Sequence, residues 1–302
     1  MDFKKLSRRK FTATLAGLTA SASLSNLPTY AVEANAPDPS YRAHGKRVRQ
    51  SVMAWCLQPM PMETLIPACA KMGLAAMEGI DPKFYPLMKQ HGLGVSLCGG
   101  HSFSKGPVNS DNRAHCVKKL REGIDRAVEW NSPNVITFTG MREKGITDAA
   151  AIRNCIDCWK EVIEYAEQKD VDLVLEQLNS RDDSHPMKGH PGYFGDDIEL
   201  CIDLIRQVDS PRMKLLFDIY HVQIMNGDVT RRFRQYHDLI GHVHTAGVPG
   251  RGELDETQEL NYPAIIRAIL DTGYDGYITQ EFIPTWPDKL AALRHGVMVC
   301  DI

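Results

Sequence analysis

Short apolar runs alternate with longer segments of helical periodicity along most of the chain, from Gln50 onward. Short, continuous apolar runs are typical of strands in a parallel sheet that is buried on both faces. The pattern predicts eight strands, over residues 51–56, 74–78, 94–98, 134–139, 171–177, 213–218, 240–245 and 276–281.

Amphipathic helical patterns occupy the segments between these strands. The clearest span residues 112–130, 147–169 and 196–208, and shorter ones lie near 62–72, 83–91, 262–272 and 286–295. Residues that suit helix N-caps begin the long patterns, and glycines that suit helix C-termini follow others. The predicted N-caps are Asp111, Thr147 and Asp196, and the glycines are Gly73, Gly92 and Gly273.

Eight strand–helix alternations over about 250 residues are typical of a barrel. The predicted fold class is therefore α/β, a single (β/α)8 TIM barrel. A doubly wound open sheet is the main alternative, but no G-x-G-x-x-G follows a strand and no P-loop is present. Long connections at 179–195 and 246–261 follow strands five and seven, at the end where barrel active sites are built.

Composition and charge argue against one class of partner. The 302 residues are 43% apolar and 24% charged, as in an ordinary globular protein. Residues 37–302 hold 30 cationic and 36 anionic side chains, a formal charge of −6. This acidic balance argues against nucleic acid as a partner, because phosphate binding requires a basic surface.

The first 36 residues have the layout of an export signal. Ser7-Arg8-Arg9-Lys10-Phe11 is a twin-arginine pattern, a charge-free stretch follows to Val32, and Ala34-Asn35-Ala36 offers a cleavage site. We predict a twin-arginine signal peptide over 1–36, a mature barrel domain over 37–302, and a periplasmic or otherwise exported protein. The alternative is an amphipathic N-terminal helix of the fold. No run has the strength of a membrane span, so no stable membrane anchor is expected.

The eight cysteines show no disulfide framework, although an exported protein could form disulfides. Cys155 and Cys158 form a C-x-x-C within a helical pattern, without a second pair to complete a zinc site. Buried free thiols are therefore the favoured interpretation.

Polar side chains end four consecutive predicted strands. Strand five ends in Glu176, strand six in Asp218, strand seven at His244 and strand eight in Glu281. A barrel would direct all four toward one point. Converging carboxylates repel one another, and one would take up a proton unless a cation were present.

A divalent metal ion resolves that repulsion. Three carboxylates and one imidazole favour Mn²⁺, with Mg²⁺, Co²⁺ and Zn²⁺ as alternatives. Salt bridges or helix caps are the structural alternative for each residue taken alone.

Long motifs in the second half of the chain resemble a known family. They are Leu175-Glu176-Gln177-Leu178-Asn179, Phe217 to Gln223 (FDIYHVQ), Gly241 to Arg251 (GHVHTAGVPGR), Glu259-Leu260-Asn261-Tyr262, and Gly273 to Phe282. The chain resembles the hydroxypyruvate isomerases of the xylose-isomerase-like barrel superfamily, which also includes ketose 3-epimerases and endonuclease IV. The likeness covers residues 50–302 in order and is strongest from 171 to 284.

The resemblance implies roles for individual residues. Glu176, Asp218, His244 and Glu281 match the metal positions, and Glu176 and Glu281 also match the two catalytic glutamates. His221 and Arg251 match substrate-contacting positions. The alternatives are a structural role for His221 and, for Arg251, a salt bridge within its loop to Glu253 or Asp255. One position departs from the cytosolic hydroxypyruvate isomerases, which carry glutamine where this chain has His244, as ketose 3-epimerases do.

Further polar and aromatic residues near the predicted strand ends could line the pocket. Glu78 ends strand two and could bond a substrate or form a structural salt bridge, and the same alternatives apply to His101 after strand three. Trp55, placed on strand one, could form a wall of the substrate site or belong to the core. His242 is expected to point away from the barrel interior. His185 and His190 are expected in a solvated or lid-forming loop rather than a second metal site.

The predicted function is proton transfer between adjacent carbons of a small sugar or keto acid through a cis-enediolate. The metal ion would act as a Lewis acid and stabilise the negative charge that develops on the substrate oxygens. Glu176 and Glu281 would serve as acid and base. The alternatives are an exported ketose 3-epimerase, a 3-keto-glycoside epimerase or lyase, and a non-catalytic sugar-binding protein. A metal-dependent endonuclease is disfavoured by the charge. The resemblance also implies a possible homo-oligomer.

Overall fold

Eight short parallel strands form a ring in the order of the chain. In this computed structural model, which describes residues 37–45 and 47–302, the predicted signal segment 1–36 lies outside the described residues. The strands are β1 Arg49–Val52, β2 Ala76–Met77, β3 Gly94–Val95, β4 Asn134–Thr137, β5 Asp172–Glu176, β6 Met213–Asp218, β7 Ile240–Thr245 and β8 Tyr277–Gln280.

Hydrogen bonding closes this ring. Six strands pair in the order β1-β8-β7-β6-β5-β4, and β2 pairs with β3, always in parallel. Single parallel bridges from Met53 to Glu78 and from Cys98 to Val135 join the two sheets at both edges. The predicted barrel is confirmed, and the open-sheet alternative is wrong because β1 pairs with β8.

Helices lie between successive strands. They are α1 Met62–Lys71, α2 Tyr85–Gln90, α3 Arg113–Trp130, α4 Asp148–Lys169, α5 Ile198–Val208, α6 Ile219–Met225, α7 Val229–Tyr236, α8 Tyr262–Leu270 and α9 Lys289–Cys300. The predicted pattern missed α6 and α7. The short α6 starts at the residue after β6, so no turn separates it from the strand.

The helix boundaries agree in part with the predicted caps. Thr147 caps α4 as expected, with its hydroxyl accepting from the Ala150 amide at 3.3 Å. The cap of α5 is Asp197 rather than Asp196. Asp111 does not cap α3 but lies inside a 3-10 turn capped by Asn109. The three predicted glycines, 73, 92 and 273, all adopt positive φ.

Alternation along the strands separates two apolar layers. Leu173, Leu175 and Phe217 belong to the large core between strands and helices, whereas Val174 and Leu216 belong to a small separate cluster. Side chains two residues apart share one face of a strand. Glu176 therefore follows Val174, and Asp218 follows Leu216, on the face turned toward the barrel interior.

The cysteines agree with the expectation of buried thiols. All eight are buried and none is in a disulfide. Within residues 37–45 and 47–302, no helix combines the length and the apolar character that crossing a membrane would require.

Candidate active site and metal centre

The four polar residues predicted at strand ends lie together at the carboxyl end of the barrel. Glu176 and Asp218 end β5 and β6, His244 lies near the end of β7, and Glu281 directly follows β8. One ligand atom from each lies within 4.8 Å of the other three, and all four residues are buried. We call this group the ligand cluster.

His244 Nδ1 faces all three carboxylates of the ligand cluster. It lies 2.7 Å from Glu281 Oε2, 3.2 Å from Glu176 Oε1 and 3.9 Å from Asp218 Oδ2. Glu176 Oε1, His244 Nδ1 and Glu281 Oε2 are buried and make no hydrogen bond. Buried polar atoms normally have partners. Two carboxylate oxygens and one imidazole nitrogen without hydrogen-bond partners, beside the carboxylate of Asp218, fit a divalent cation.

The electrostatics of the ligand cluster favour the same interpretation. Burial, together with the charges of Glu281 and Glu176, raises the pKa of Asp218 to about 8, although Arg251 opposes the shift. Burial also raises the pKa of Glu176. Burial acts on Glu281 too, but Arg251 and His244 outweigh it and lower the pKa of that carboxyl. Without a bound cation, this group would hold protons at neutral pH.

Glu78 and His242 lie beneath the ligand cluster; Glu78 follows its structural alternative rather than the predicted substrate contact, and His242 differs from the prediction. Glu78 Oε1 lies 2.8 Å from His244 Nε2, and Glu78 Oε2 lies 2.9 Å from His242 Nε2. The prediction that His242 points away from the interior is wrong, because residues 242 and 244 are two apart and share a face. Glu78 is fully buried with both oxygens bonded, so it supports a histidine rather than lining a substrate pocket.

Arg251 reaches the ligand cluster from the loop after β7. Its backbone φ is +56°, and its side chain is 3% exposed. Nη2 lies 2.6 Å from Glu281 Oε2 and 3.4 Å from Asp218 Oδ2, while Nε has no partner. The guanidinium carbon is 5.5 Å from the ring centres of both Trp55 and Tyr220. The guanidinium is therefore held beside the ligand cluster, and its Nε–H remains available as a hydrogen-bond donor.

The loop acids named as alternative partners of Arg251 bind elsewhere. Glu253 accepts hydrogen bonds from Thr285 and from the Trp286 amide. Asp255 accepts from Thr257 and from the Trp286 indole. Trp55 itself lies in a 3-10 turn, Ala54–Leu57, rather than on strand one as predicted. It contacts the site through Arg251.

His221 is oriented by the residue that ends the E-x-L-N motif. Its Nδ1 accepts from the backbone amide of Asn179 at 3.0 Å and from the Asn179 side-chain amide at 2.7 Å. Because Nδ1 is an acceptor, the ring proton belongs on Nε2. That nitrogen is buried without a hydrogen-bond partner, 3.6 Å from Asp218 Oδ2. The geometry leaves one N–H donor free beside the ligand cluster.

His101 is engaged by protein groups on both ring nitrogens. Nε2 lies 2.9 Å from Thr137 Oγ1, and Nδ1 lies 3.2 Å from the Ser102 carbonyl oxygen. Thr137 faces α4, since its hydroxyl also accepts from the Trp159 indole. No nitrogen of His101 is left for a substrate, so the predicted substrate contact is not supported by this placement.

The loop between β5 and α5 covers the site. Arg251 Nη1 donates to the Met187 carbonyl, and Tyr220 donates to Asp182 at 3.0 Å. The Asn179 side chain donates to the Lys188 carbonyl at 2.7 Å. His190 is 7% exposed and lies with its ring 4.3 Å from that of Phe103. Among the described residues, His185 and His190 belong to no group of potential metal ligands.

Two residues that contact side chains of the site were given no role by the sequence prediction. Asn179 stood within a recognised motif, and Tyr220 stood between Asp218 and His221 in another, but neither was given a role. Asn179 could have been noticed because it lies three positions after Glu176 in the same motif. Tyr220 could have been noticed because it lies between Asp218 and His221.

Comparisons with known proteins find relatives that are named as isomerases. A putative hydroxypyruvate isomerase of Homo sapiens is 31% identical over 173 residues, which are 55% of this chain and 60% of that protein. The chain thus spans about 60% of the length of the curated relatives of that name from Homo sapiens and Mus musculus. A 2-oxo-tetronate isomerase of Pectobacterium atrosepticum is 26% identical over 72% of this chain and 84% of that one.

Solved structures share the fold at low identity. A structure titled L-ribulose 3-epimerase has a TM-score of 0.68 at 18% identity, covering 82% of this chain and 92% of that one. A 3-keto-D-glucoside 4-epimerase from E. coli has a TM-score of 0.67 at 18% identity, covering 83% and 97%. The family described as xylose isomerase-like TIM barrel matches residues 66–298. The chain belongs to the xylose isomerase-like TIM barrel family.

Proposed function

We propose that this protein is a divalent-metal-dependent isomerase or epimerase of small sugars or keto acids, most similar in its chemistry to the hydroxypyruvate isomerases. The observation that carries the proposal is the ligand cluster, in which four buried donors converge and three of their ligand atoms have no hydrogen-bond partner. Relatives named hydroxypyruvate isomerase and 2-oxo-tetronate isomerase support the same class of reaction.

The residues of the site have different roles in moving one proton between adjacent carbons. Glu176, Asp218, His244 and Glu281 would hold the ion, which when bound supplies Lewis-acid stabilisation of developing negative charge. Glu176 and Glu281 act as base and acid, removing the proton at one carbon and returning it at the next through a cis-enediolate. His221 Nε2 donates to a substrate oxygen.

We propose Mn²⁺ as the ion, with Mg²⁺, Co²⁺ or Zn²⁺ as alternatives. The donor set is rich in carboxylate oxygen, which suits Mn²⁺ and Mg²⁺, and its single imidazole also suits the later transition metals.

The substrate depends on what Arg251 binds. A guanidinium can hold a carboxylate through two parallel hydrogen bonds, and its unpartnered Nε therefore favours a keto acid such as hydroxypyruvate. The second candidate is a ketose or a 3-keto-glycoside, handled by epimerisation or elimination. His244 favours it, because ketose 3-epimerases resemble this chain at that position. Export of the mature chain after residue 36, which we also propose, favours an extracytoplasmic sugar.

Deuterium exchange tests the proposal directly. Mature, Mn²⁺-loaded protein is incubated in D₂O with hydroxypyruvate, several ketoses and 3-keto-glycosides, and exchange at carbon is followed by NMR. We expect deuterium to enter one substrate. Glu176→Gln should slow that exchange by about 10²–10⁴-fold, the usual contribution of a general acid or base, while part of the Mn²⁺ binding remains.

Glu253→Gln is the matched control, since Glu253 is also buried but binds only Thr285 and Trp286. Unchanged exchange in Glu176→Gln would contradict the role of Glu176. Stoichiometric metal and sugar binding without exchange in the wild type would instead support a non-catalytic sugar-binding protein.

A further inference from the structure

Glu78 accepts three hydrogen bonds in the barrel interior and lies close to a fourth polar side chain, His242. Oε1 accepts from His244 Nε2 at 2.8 Å. Oε2 lies 2.9 Å from His242 Nε2, 2.5 Å from Ser96 Oγ and 3.0 Å from Thr279 Oγ1. The side chain is fully buried. An ionised carboxylate accepts hydrogen bonds and donates none, so every polar neighbour of Glu78 must meet it as a donor.

The donors on Oε2 fix which atom is left for His244. The Asn134 side-chain amide lies 3.4 Å from His242 Nδ1 and can only donate to it, which places the His242 proton on Nε2, toward Glu78. Ser96 and Thr279 donate to the same oxygen. Oε1 is therefore reserved for His244.

The backbone holds Glu78 in place. Its amide donates to the Val52 carbonyl at 3.0 Å, and its carbonyl accepts from the Ala54 amide at 2.8 Å. These bonds belong to the bridge that joins β1 to β2. The carboxylate therefore projects from a fixed point of the ring.

We propose that Glu78 is a positioning residue that holds His244 in its metal-binding tautomer; this rests on the metal centre of the proposed function. Because Oε1 accepts from Nε2, the His244 proton lies on Nε2 and the lone pair lies on Nδ1. Nδ1 is the nitrogen that faces Glu176 Oε1 and Glu281 Oε2. A histidine binds a metal through an unprotonated nitrogen, and an acceptor on its other nitrogen fixes that state.

Glu78→Gln tests this role with little change of shape. Glutamine has one acceptor oxygen, and the hydroxyls of Ser96 and Thr279 can either donate to or accept from its amide. His242 Nε2 carries a proton and cannot accept one, so it draws that oxygen toward itself and turns the amide NH₂ toward His244. Nε2 then becomes an acceptor and the proton moves to Nδ1, where it blocks metal binding.

The measurement is Mn²⁺ titration calorimetry on the mature protein, with long-range ¹⁵N NMR of the histidine rings in the Mg²⁺-loaded form. Glu78→Gln should weaken Mn²⁺ binding by about 10–100-fold, the usual effect of losing such a partner. The matched control is Ser96→Ala, which removes one bond to Oε2 and leaves Oε1 untouched. It should bind Mn²⁺ within about threefold of the wild type.

The outcomes separate the two proposals. Glu78→Gln that binds Mn²⁺ as tightly as the wild type, with Nε2 still protonated, overturns the positioning role and leaves the metal centre intact. Wild-type protein that binds no Mn²⁺ contradicts the metal centre itself. If Glu78→Gln does not fold, Glu78→Asp supplies the comparison: its shorter carboxylate keeps the charge but withdraws from His244, so Mn²⁺ affinity should again fall. A wild-type, Mg²⁺-loaded spectrum with His244 protonated on Nδ1 overturns the role without any variant.

Discussion

At the scale of single residues, Arg251 connects the covering loop to the ligand cluster. Its guanidinium contacts Glu281 and Asp218 and donates to the Met187 carbonyl. We predict that Arg251→Lys lowers kcat/KM by about 10²-fold, because a lysine ammonium cannot reproduce the planar fork or pack against Trp55 and Tyr220. Steady-state kinetics on the substrate identified by exchange would measure the effect.

Arg212→Lys provides a control for that substitution. Arg212 pairs with Asp172, the first residue of β5, and so lies at the opposite end of the strand from Glu176. Activity in Arg251→Lys equal to that in Arg212→Lys would show that Arg251 has no part in the reaction. A larger loss with a keto acid than with a ketose would identify a carboxylate as its ligand.

At the scale of elements, the loop over the site depends on a close internal contact at Gly189. A Cβ at this position would lie 2.1 Å from the Asp182 carbonyl oxygen and 2.5 Å from Asn179 Oδ1. Asn179 in turn orients His221. We predict that Gly189→Ala lowers kcat/KM by about 10²-fold, since a misplacement near 1 Å at a catalytic site costs that much, and makes residues 180–195 more susceptible to limited proteolysis.

Gly99→Ala is the matched control, because a Cβ at Gly99 meets no atom within 4 Å. It should retain the wild-type proteolysis pattern. A Gly189→Ala protein with unchanged kinetics and unchanged cleavage would mean that the loop does not constrain the site.

At the scale of the whole molecule, a metal ion at the ligand cluster would stabilise the fold. A ligand at 100 times its Kd adds about 2.7 kcal/mol to the free energy of unfolding, which for a domain of this size corresponds to about 5–10 °C in Tm. We predict that chelation lowers Tm by this amount and abolishes activity, and that Mn²⁺ restores both. Differential scanning calorimetry with and without Mn²⁺ provides the measurement. Asp218→Asn should lose most of the metal-dependent shift; an equal shift in that variant would place the ion elsewhere.

The N-terminal segment carries a separate prediction for the molecule in its cell. Replacing Arg8 and Arg9 with lysine should keep the protein in the cytoplasm at full length, because the twin-arginine pattern is the address that the export route reads. Fractionation and N-terminal sequencing of the wild type should recover a periplasmic chain that begins at or near Pro37. An uncleaved wild-type chain in the cytoplasm would contradict the export proposal.

The order of strands and most helix positions followed from local pattern alone. Apolar runs and helical periodicity are properties of neighbouring residues, so they can be recognised from the sequence without the tertiary structure. The pattern failed at α6, where helix follows strand without a turn, and at Trp55, which lies in a 3-10 turn beyond β1. No glycine or proline marks either change of structure, and Asp218, which caps α6, is also the last residue of β6.

The sequence by itself determined that four metal-ligand side chains end consecutive strands, because the period of two places Glu176 and Asp218 on the same face as Val174 and Leu216. Only the tertiary structure decided what surrounds them. Glu78 meets His244 across 166 positions of the chain, a contact that exists because β1 pairs with β8 and closes the ring. Closure joins strands that are distant in sequence, and no local pattern encodes which side chains it brings together.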